Sequence, residues 1–349
     1  MTRNIHSEDK PGASLIHKMA LVGAGRMGSL HARNASAHPR LSLVAIADHD
    51  QALSAKLAAE TGAEVAAYEE ILADPGIAGV IIASSTSSHL DNSIKAVGSG
   101  KAVFCEKPLS LSADALAAKL PDLEAPGAPV FVAFNRRFDP HLGELKRRLA
   151  AGDIGRAETL HIVNHDPAPP DPAFIPRSGG LFKDFTIHDF DTAAWLLDEP
   201  FTEVFAMGSC LVDPRVGALG DIDTAKLILR GASGALCMIS NSRRTGYGYD
   251  QRVELFGSDG ALQVDNVPGA QVQRLDGAGS HGAPFHYSFV ERYAQAYRAE
   301  LDHFVAVLDG QCAPSTGPRD SLRALRLADA AEESMKQDRP IALGVQEVL

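Results

Sequence analysis

Met19–Asp48 reads MALVGAGRMGSLHARNASAHPRLSLVAIAD. An apolar run, Met19–Val22, leads into Gly23, Gly25 and Gly28 in G-x-G-x-x-G spacing, with Arg26 and Met27 inside the motif. A helix-length stretch follows, then a second apolar run, Leu43–Ala47, closed by Asp48. Strand, glycine turn, helix and strand in this order are what a dinucleotide-binding βαβ unit requires. Gly23 permits the tight turn, Gly25 lets backbone approach a pyrophosphate, and Gly28 lets helix and strand pack closely. The first amides of the helix then face the phosphates. Asp48, at the end of the second strand, can hold the adenine ribose diol of NAD and repel the 2′-phosphate of NADP. No Lys or Arg stands at Ala47, His49 or Asp50 to neutralise that phosphate. A competing role for Asp48, capping the next helix, stays open because His49 and Asp50 sit at a helix start.

The alternation continues to Phe134. Apolar runs at Val80–Ala83, Ala102–Cys105 and Val130–Phe134 interleave with helical spacing at Asp50–Thr61, Leu90–Val97 and Ala113–Leu123. Such a pattern implies a parallel sheet buried on both faces, and right-handed crossovers make it doubly wound. The character changes after Phe138. A helix at His141–Ala150, a strand at Ala157–Val163, the loop DPAPPDPAFIP and a helix from Asp184 to Leu197 come first. Strand-like runs then follow one another at Glu203–Leu211, Thr224–Leu229, Ala235–Ser240 and Arg252–Phe256, with terminal helices at Val290–Leu308 and Arg319–Met335. Successive strands without helices between them predict a mostly antiparallel sheet in an α+β domain. The expected fold is α/β: a Rossmann domain over residues 18–136 and a C-terminal α+β domain over 137–349, after a disordered lead-in at 1–17.

The 349 residues suit two domains. Lys and Arg number 33 against 44 Asp and Glu, a formal charge of −11. That excess repels phosphate backbones and anionic lipid, so neither nucleic acid nor membrane is an expected partner. No apolar stretch approaches a membrane span, and the polar N-terminus lacks a signal-peptide core. Cys105, Cys210, Cys237 and Cys312 lie far apart with no C-x-x-C pair, which argues against a zinc site or disulfide framework. A cytoplasmic protein without metal is the expectation.

Two further stretches carry chemistry. In Cys105-Glu106-Lys107-Pro108, directly after an apolar run, Lys107 stands where the carboxyl ends of the strands meet the ligand. In Gly179–Leu197, GGLFKDFTIHDFDTAAWLL, Asp184, His188 and Asp191 recur at helical spacing and share one face, while Asp189 falls off that stripe. An imidazole beside a carboxylate is how a general base is oriented. The zinc pattern H-E-x-x-H is absent.

GAGRMG, FCEKPLS, FNRRFDP and GGLFKDFTIHDFD, in this order, resemble the Gfo/Idh/MocA oxidoreductases, and SRRTGYGYDQRVELFGSDG (242–260) and ERYAQAYRAEL (291–301) resemble its inositol-dehydrogenase branch. The resemblance spans Met19 to Met335. It implies an open sheet in the second domain that is often used for tetramer assembly, with NAD as cofactor. Lys107, Asp184 and His188 match the family's catalytic positions, and Arg26, Met27 and Glu106 its cofactor site. Asp166, Tyr247 and Tyr249 fall among substrate-facing positions. The implied reaction oxidises a ring hydroxyl of a cyclic polyol, foremost myo-inositol, to the ketone. His188 would take the hydroxyl proton, Lys107 would bind the reacting oxygen, and Asp184 would orient the substrate and His188. Another inositol isomer, a sugar or a glycoside is the alternative substrate. A silent dinucleotide sensor would need none of those three residues. His165 departs from the pattern, since many relatives carry arginine there.

Overall fold

A computed structural model describes residues 15–124 and 127–344. Strands β1 (His17–Val22), β2 (Leu41–Ala47), β3 (Glu64–Val65), β4 (Gly79–Ile82), β5 (Ala102–Glu106) and β6 (Val130–Ala133) form one sheet in the order β3-β2-β1-β4-β5-β6. All of its pairs are parallel. Helices α1 (Arg26–Ala37), α2 (Gln51–Thr61), α3 (Tyr68–Ala73), α4 (Thr86–Gly98) and α5 (Ala113–Leu123) make the crossovers. Every residue of β4, β5 and β6 is buried, which is why these strands read as unbroken apolar runs. Each buried Ile, Val or Phe there contributes about 1.5–3 kcal/mol relative to an exposed side chain. The strand order reverses between β1 and β4, and the crevice beyond their carboxyl ends is the ligand position of such sheets.

Of the expected lead-in, 1–17, only the last three residues lie among those described. His17 already opens β1, opposite Leu41.

The second region contains α6 (Pro140–Ala150), β7 (Ala157–His165), α7 (Ile175–Ser178), α8 (Ile187–Leu197), β8 (Phe201–Ser209), α9 (Pro214–Ala218), β9 (Thr224–Gly231), β10 (Leu236–Ser242), β11 (Asp250–Gly257) and β12 (Gly260–Val264). The chain continues through β13 (Gln273–Asp276), β14 (Gly279–Gly282), α10 (Phe289–Arg292), α11 (Ala294–Leu308), α12 (Pro318–Gln337) and β15 (Ile341–Ala342). The main sheet runs β12-β11-β7-β10-β9-β8-β15, antiparallel throughout except for β7 with β10. Its alternation is plain on β9: Ala225, Leu227 and Leu229 are buried while Lys226, Ile228 and Arg230 are exposed. One face shares a core with α8 and α12, through Leu196, Leu325 and Ala328. The open sheet thus has a helical cover on one side, and α12 supplies part of it.

Chain order and spatial grouping differ at α11. Leu301, Phe304 and Val305 pack among Leu21, Ile46, Ile81, Phe104 and Phe131 of the first sheet. Phe304 stands edge-on to Phe104 with centroids 5.6 Å apart. Asp309, just past α11, binds Arg40 at 2.8 Å and His17 at 2.9 Å, tying the helix to β1. The helix expected over 290–308 divides at Tyr293 (φ −106°, ψ 17°), and Glu291 accepts from the amides of Tyr287 and Ser288 at the start of a separate short helix, α10.

Candidate active site

The glycine turn is built around contacts that leave no room for side chains. Gly23 has φ +100°, and a Cβ there would meet Ser84 N at 2.4 Å. At Gly28 a Cβ would lie 1.8 Å from Gly23 O, so α1 and β1 approach only through glycine. Gly25 differs: nothing lies within 4 Å of where its Cβ would be. It is also the N-cap of α1, with no side-chain hydrogen bond to the first turn. Open space beside uncapped amides fits a pyrophosphate. The capping role belongs to Asp50, whose carboxylate accepts from Ala52 and Leu53. Asp48 instead accepts Ala24 N–H at 2.5 Å and Asp50 N–H at 2.8 Å, which ties the glycine turn to the end of β2. A carboxylate has about four acceptor positions, so capacity remains for a ribose diol.

Beside this turn lies a cavity of about 590 Å³. Arg26, Met27, Glu106 and Lys107 line it from the Rossmann side, and Asp166, Asp184, His188, Arg243 and Tyr249 from the other. Eight of the residues expected at cofactor, substrate or reaction therefore meet at one opening. Tyr247 does not line it; half-exposed, its hydroxyl donates to Asp250 at 2.7 Å. Arg26 stacks on Phe289, with its guanidinium carbon 4.6 Å from the ring centroid.

β5 delivers Lys107 to this cavity. Its Nζ donates to the Asp184 carbonyl at 2.7 Å and lies 3.8 Å from Asp184 Oδ1. The carboxylate of Asp184 accepts from Arg243 Nη2 at 2.8 Å. Burial alone would raise its pKa, but Arg243 and Lys107 hold it below the ordinary 3.8. Asp166, 3.3 Å from Arg243 Nη1, is pushed up to about 6, by burial first and by the neighbouring Asp184 charge.

His188 is held neutral: burial, then the charges of Lys107 and Arg136, push its pKa well below 6.5. Its Nδ1 is enclosed and has no hydrogen-bond partner among the described residues. This corrects the expected Asp184–His188 contact, because the carboxylate goes to Arg243 instead. The shared stripe is corrected as well. Phe182–Thr186 forms a π-helical turn ahead of α8, and the wider turn shifts the phase on which an i,i+4 stripe depends. Asp191 does not line the cavity; it pairs with Arg137 at 2.5 Å behind it.

Sequence reasoning set Asp189 aside, yet its carboxylate is fully buried against the Arg136 guanidinium. Asn164 and Asn241 donate to it at 3.1 and 2.8 Å. Tyr249 donates to Asn164 at 3.1 Å and accepts from Arg136 at 3.3 Å. This network joins α8 to β7, β10 and the turn after β6. The paired arginines of FNRRFDP and the three aspartates of DFTIHDFD were its only trace in sequence. Arg243 lay unremarked inside SRRTGYGYDQR.

Residues 17–134 match the model of an oxidoreductase family with an NAD-binding Rossmann fold, and residues 142–263 match the Gfo/Idh/MocA C-terminal domain. The chain is 40% identical over 326 residues to the inositol 2-dehydrogenase of Rhizobium meliloti strain 1021, covering 93% of this chain and 99% of that protein. The crystal structure of a myo-inositol dehydrogenase from Corynebacterium glutamicum superposes with a TM-score of 0.90 at 39% identity, over 95% of this chain and 99% of that one. A scyllo-inositol dehydrogenase from Lactobacillus casei, solved with bound NAD(H) and scyllo-inositol, gives a TM-score of 0.88 at 26% identity, over 94% and 99%. Glycine turn, cavity and these likenesses agree: the chain belongs to the Gfo/Idh/MocA family of NAD-binding oxidoreductases.

Proposed function

We propose that the protein is an NAD-dependent inositol 2-dehydrogenase, oxidising myo-inositol at one ring hydroxyl to the keto form. The carrying observation is a neutral, buried His188 beside the Lys107 ammonium and the ionised Asp184, in one cavity that adjoins the glycine turn. Bound NAD supplies the hydride acceptor, the nicotinamide ring. Gly23, Gly25 and Gly28, with Asp48, would hold the dinucleotide, and Arg26, Met27 and Glu106, which line the cavity, would contact it there. His188 takes the hydroxyl proton on Nε2, the ring nitrogen opposite the enclosed Nδ1. A base held neutral at working pH is what this step needs. Lys107 donates a hydrogen bond to the reacting oxygen as negative charge grows on it. Asp184 orients the substrate rather than the imidazole. Asp166 and Tyr249 face the remaining hydroxyls.

The open face of the second sheet supports assembly, proposed here as a homotetramer. Ile228 and Met238 sit directly opposite each other in register, both exposed, and Leu236, Met207 and Phe256 extend the same outer face. Uncovered apolar surface of this kind marks a protein contact. Among the described residues no helix is long and apolar enough to cross a membrane. A cytoplasmic, catabolic enzyme is the setting proposed. The test is a panel of inositol isomers, hexoses and glycosides with NAD or NADP, followed by absorbance of the reduced cofactor. Turnover is expected with an inositol and NAD; turnover only with a pyranose, or with none of these substrates, overturns the proposal.

A further inference from the structure

Arg243 lies just past β10, and Asp166 just past β7, its parallel neighbour. Backbone bonds fix both: Arg243 N donates to Asp223 O at 2.8 Å, and Asp166 N to Ser242 O at 2.9 Å. The carboxylate of Asp223 is itself held by the amides of Leu211, Val212 and Asp213. The guanidinium carbon lies over the Phe185 ring, 4.6 Å from its centroid, and the Arg243 side chain is only 6% exposed. Its two Nη atoms go to two different carboxylates, Nη1 to Asp166 Oδ2 and Nη2 to Asp184 Oδ2. Both Nη atoms sit on one carbon, so the carboxylates they hold stand side by side on the cavity wall. Among the described residues, Asp166 Oδ1 accepts no hydrogen bond, and Asp184 Oδ1 has only Lys107 Nζ at 3.8 Å, beyond hydrogen-bond range. Two acceptor atoms are left, both on residues that line the cavity. Without a cation between them, two adjoining carboxylates would not both stay ionised.

We infer that Arg243 is a positioning residue of the substrate site, whose fork sets Asp166 and Asp184 as paired acceptors for two neighbouring hydroxyls of a ring substrate. This rests on the polyol reading above and deepens it. A vicinal diol is the group this wall reads, and a substrate lacking one of the two hydroxyls loses an acceptor's partner. A guanidinium is suited to the task because its planar fork fixes both distance and direction, which a lysine ammonium does not.

The experiment measures kcat and KM for myo-inositol and for its monodeoxy analogues, with saturating NAD, in the wild type, Arg243→Met, Arg243→Lys and Asp166→Asn. Arg243→Met is expected to raise the polyol KM about 10- to 100-fold, the loss of a charged hydrogen bond. The KM for NAD stays unchanged, and Arg243→Lys recovers only part of the loss. Asp166→Asn supplies the arm that survives a folding defect at Arg243. Removing one particular hydroxyl from the substrate raises the wild-type KM, and the same removal costs Asp166→Asn little more. The inference is overturned if Arg243→Met keeps the wild-type KM, or if Asp166→Asn responds to every deoxy analogue as the wild type does. A wild type that oxidises no inositol overturns the proposed function instead, so the two failures are distinct.

Discussion

His188, Asp48 and Glu300 show how single side chains acquire their properties from burial and one or two neighbours. His188→Ala and Lys107→Ala are each expected to lower turnover by about two decades or more, the usual loss on removing a proton-transfer group. Neither touches the glycine turn, so NAD affinity should stay within a few-fold in an equilibrium titration. The sign of the pH dependence follows from the depressed pKa of His188. Because the folded protein keeps this ring neutral below 6.5, the acid limb of the rate lies under pH 6.5, and the rate is level above it as far as His188 is concerned. A midpoint above 6.5 that persists in His188→Ala contradicts this. At Asp48, the carboxylate proposed to hold the ribose also holds Ala24 N–H. Asp48→Ser should therefore narrow the preference for NAD over NADP and weaken both cofactors somewhat, as read from kcat/KM with each. Glu300 on α11 is fully buried, neither of its oxygens has a hydrogen-bond partner among the described residues, and burial with Glu106 nearby raises its pKa well above 4.5. The folded chain keeps that proton while the unfolded chain releases it as pH rises past about 4.5, so stability is lost towards neutral pH. Glu300→Gln should raise the denaturant midpoint at pH 7.5 and change it less at pH 5; the reverse order would refute the buried, protonated state.

Elements differ in how much of them the sequence discloses. Strands β4, β5 and β6 are buried at every residue, as is β1 from Met19 on, so each reads as an almost unbroken apolar run; Gly23 and Gly28 have a steric cause, while Gly25 borders open space. The strands β7 to β11 were legible through alternation, within about two residues at their ends. By contrast, β13 and β14 are exposed on every residue, and β3 and β15 have two residues each, leaving no pattern to read. The π-turn at Phe182–Thr186 was hidden because a 3.6-residue period fits its composition equally well. The Asp189 network was invisible for another reason. Its members come from the turn after β6, from β7, from β10 and from Tyr249 just before β11, and only the fold brings them together. Removing one partner of a buried ion pair leaves an uncompensated charge and costs about 3–5 kcal/mol. Arg136→Met should accordingly lower the unfolding free energy by that amount, measured in urea, far more than Arg147→Met at the exposed pair with Glu144. Equal small losses would show that the Asp189 network does not anchor α8.

At the scale of the molecule, two sheets meet at one cavity, with α11 returning to complete the first of them. The Rossmann sheet contributes Lys107 and the glycine turn, the mixed sheet contributes Asp166 and Arg243, and α8 with its preceding π-turn contributes Asp184 and His188. Among the described residues, none covers Ile228, Met238 or Met207 on the outer face of the mixed sheet. Ile228→Glu combined with Met238→Glu should reduce the mass found by light scattering towards the 37.0 kDa of a single chain, with the circular dichroism spectrum kept. A wild type that already scatters as 37.0 kDa removes the proposed assembly. The reaction itself is tested most directly with myo-inositol carrying deuterium on the ring carbon to be oxidised, incubated with the protein and NAD. The expected product is NADH with deuterium at C4 of the nicotinamide and a primary isotope effect on the rate, the label passing directly between the two carbons. Deuterium appearing in water, or ketone formed without labelled NADH, would contradict hydride transfer at this site.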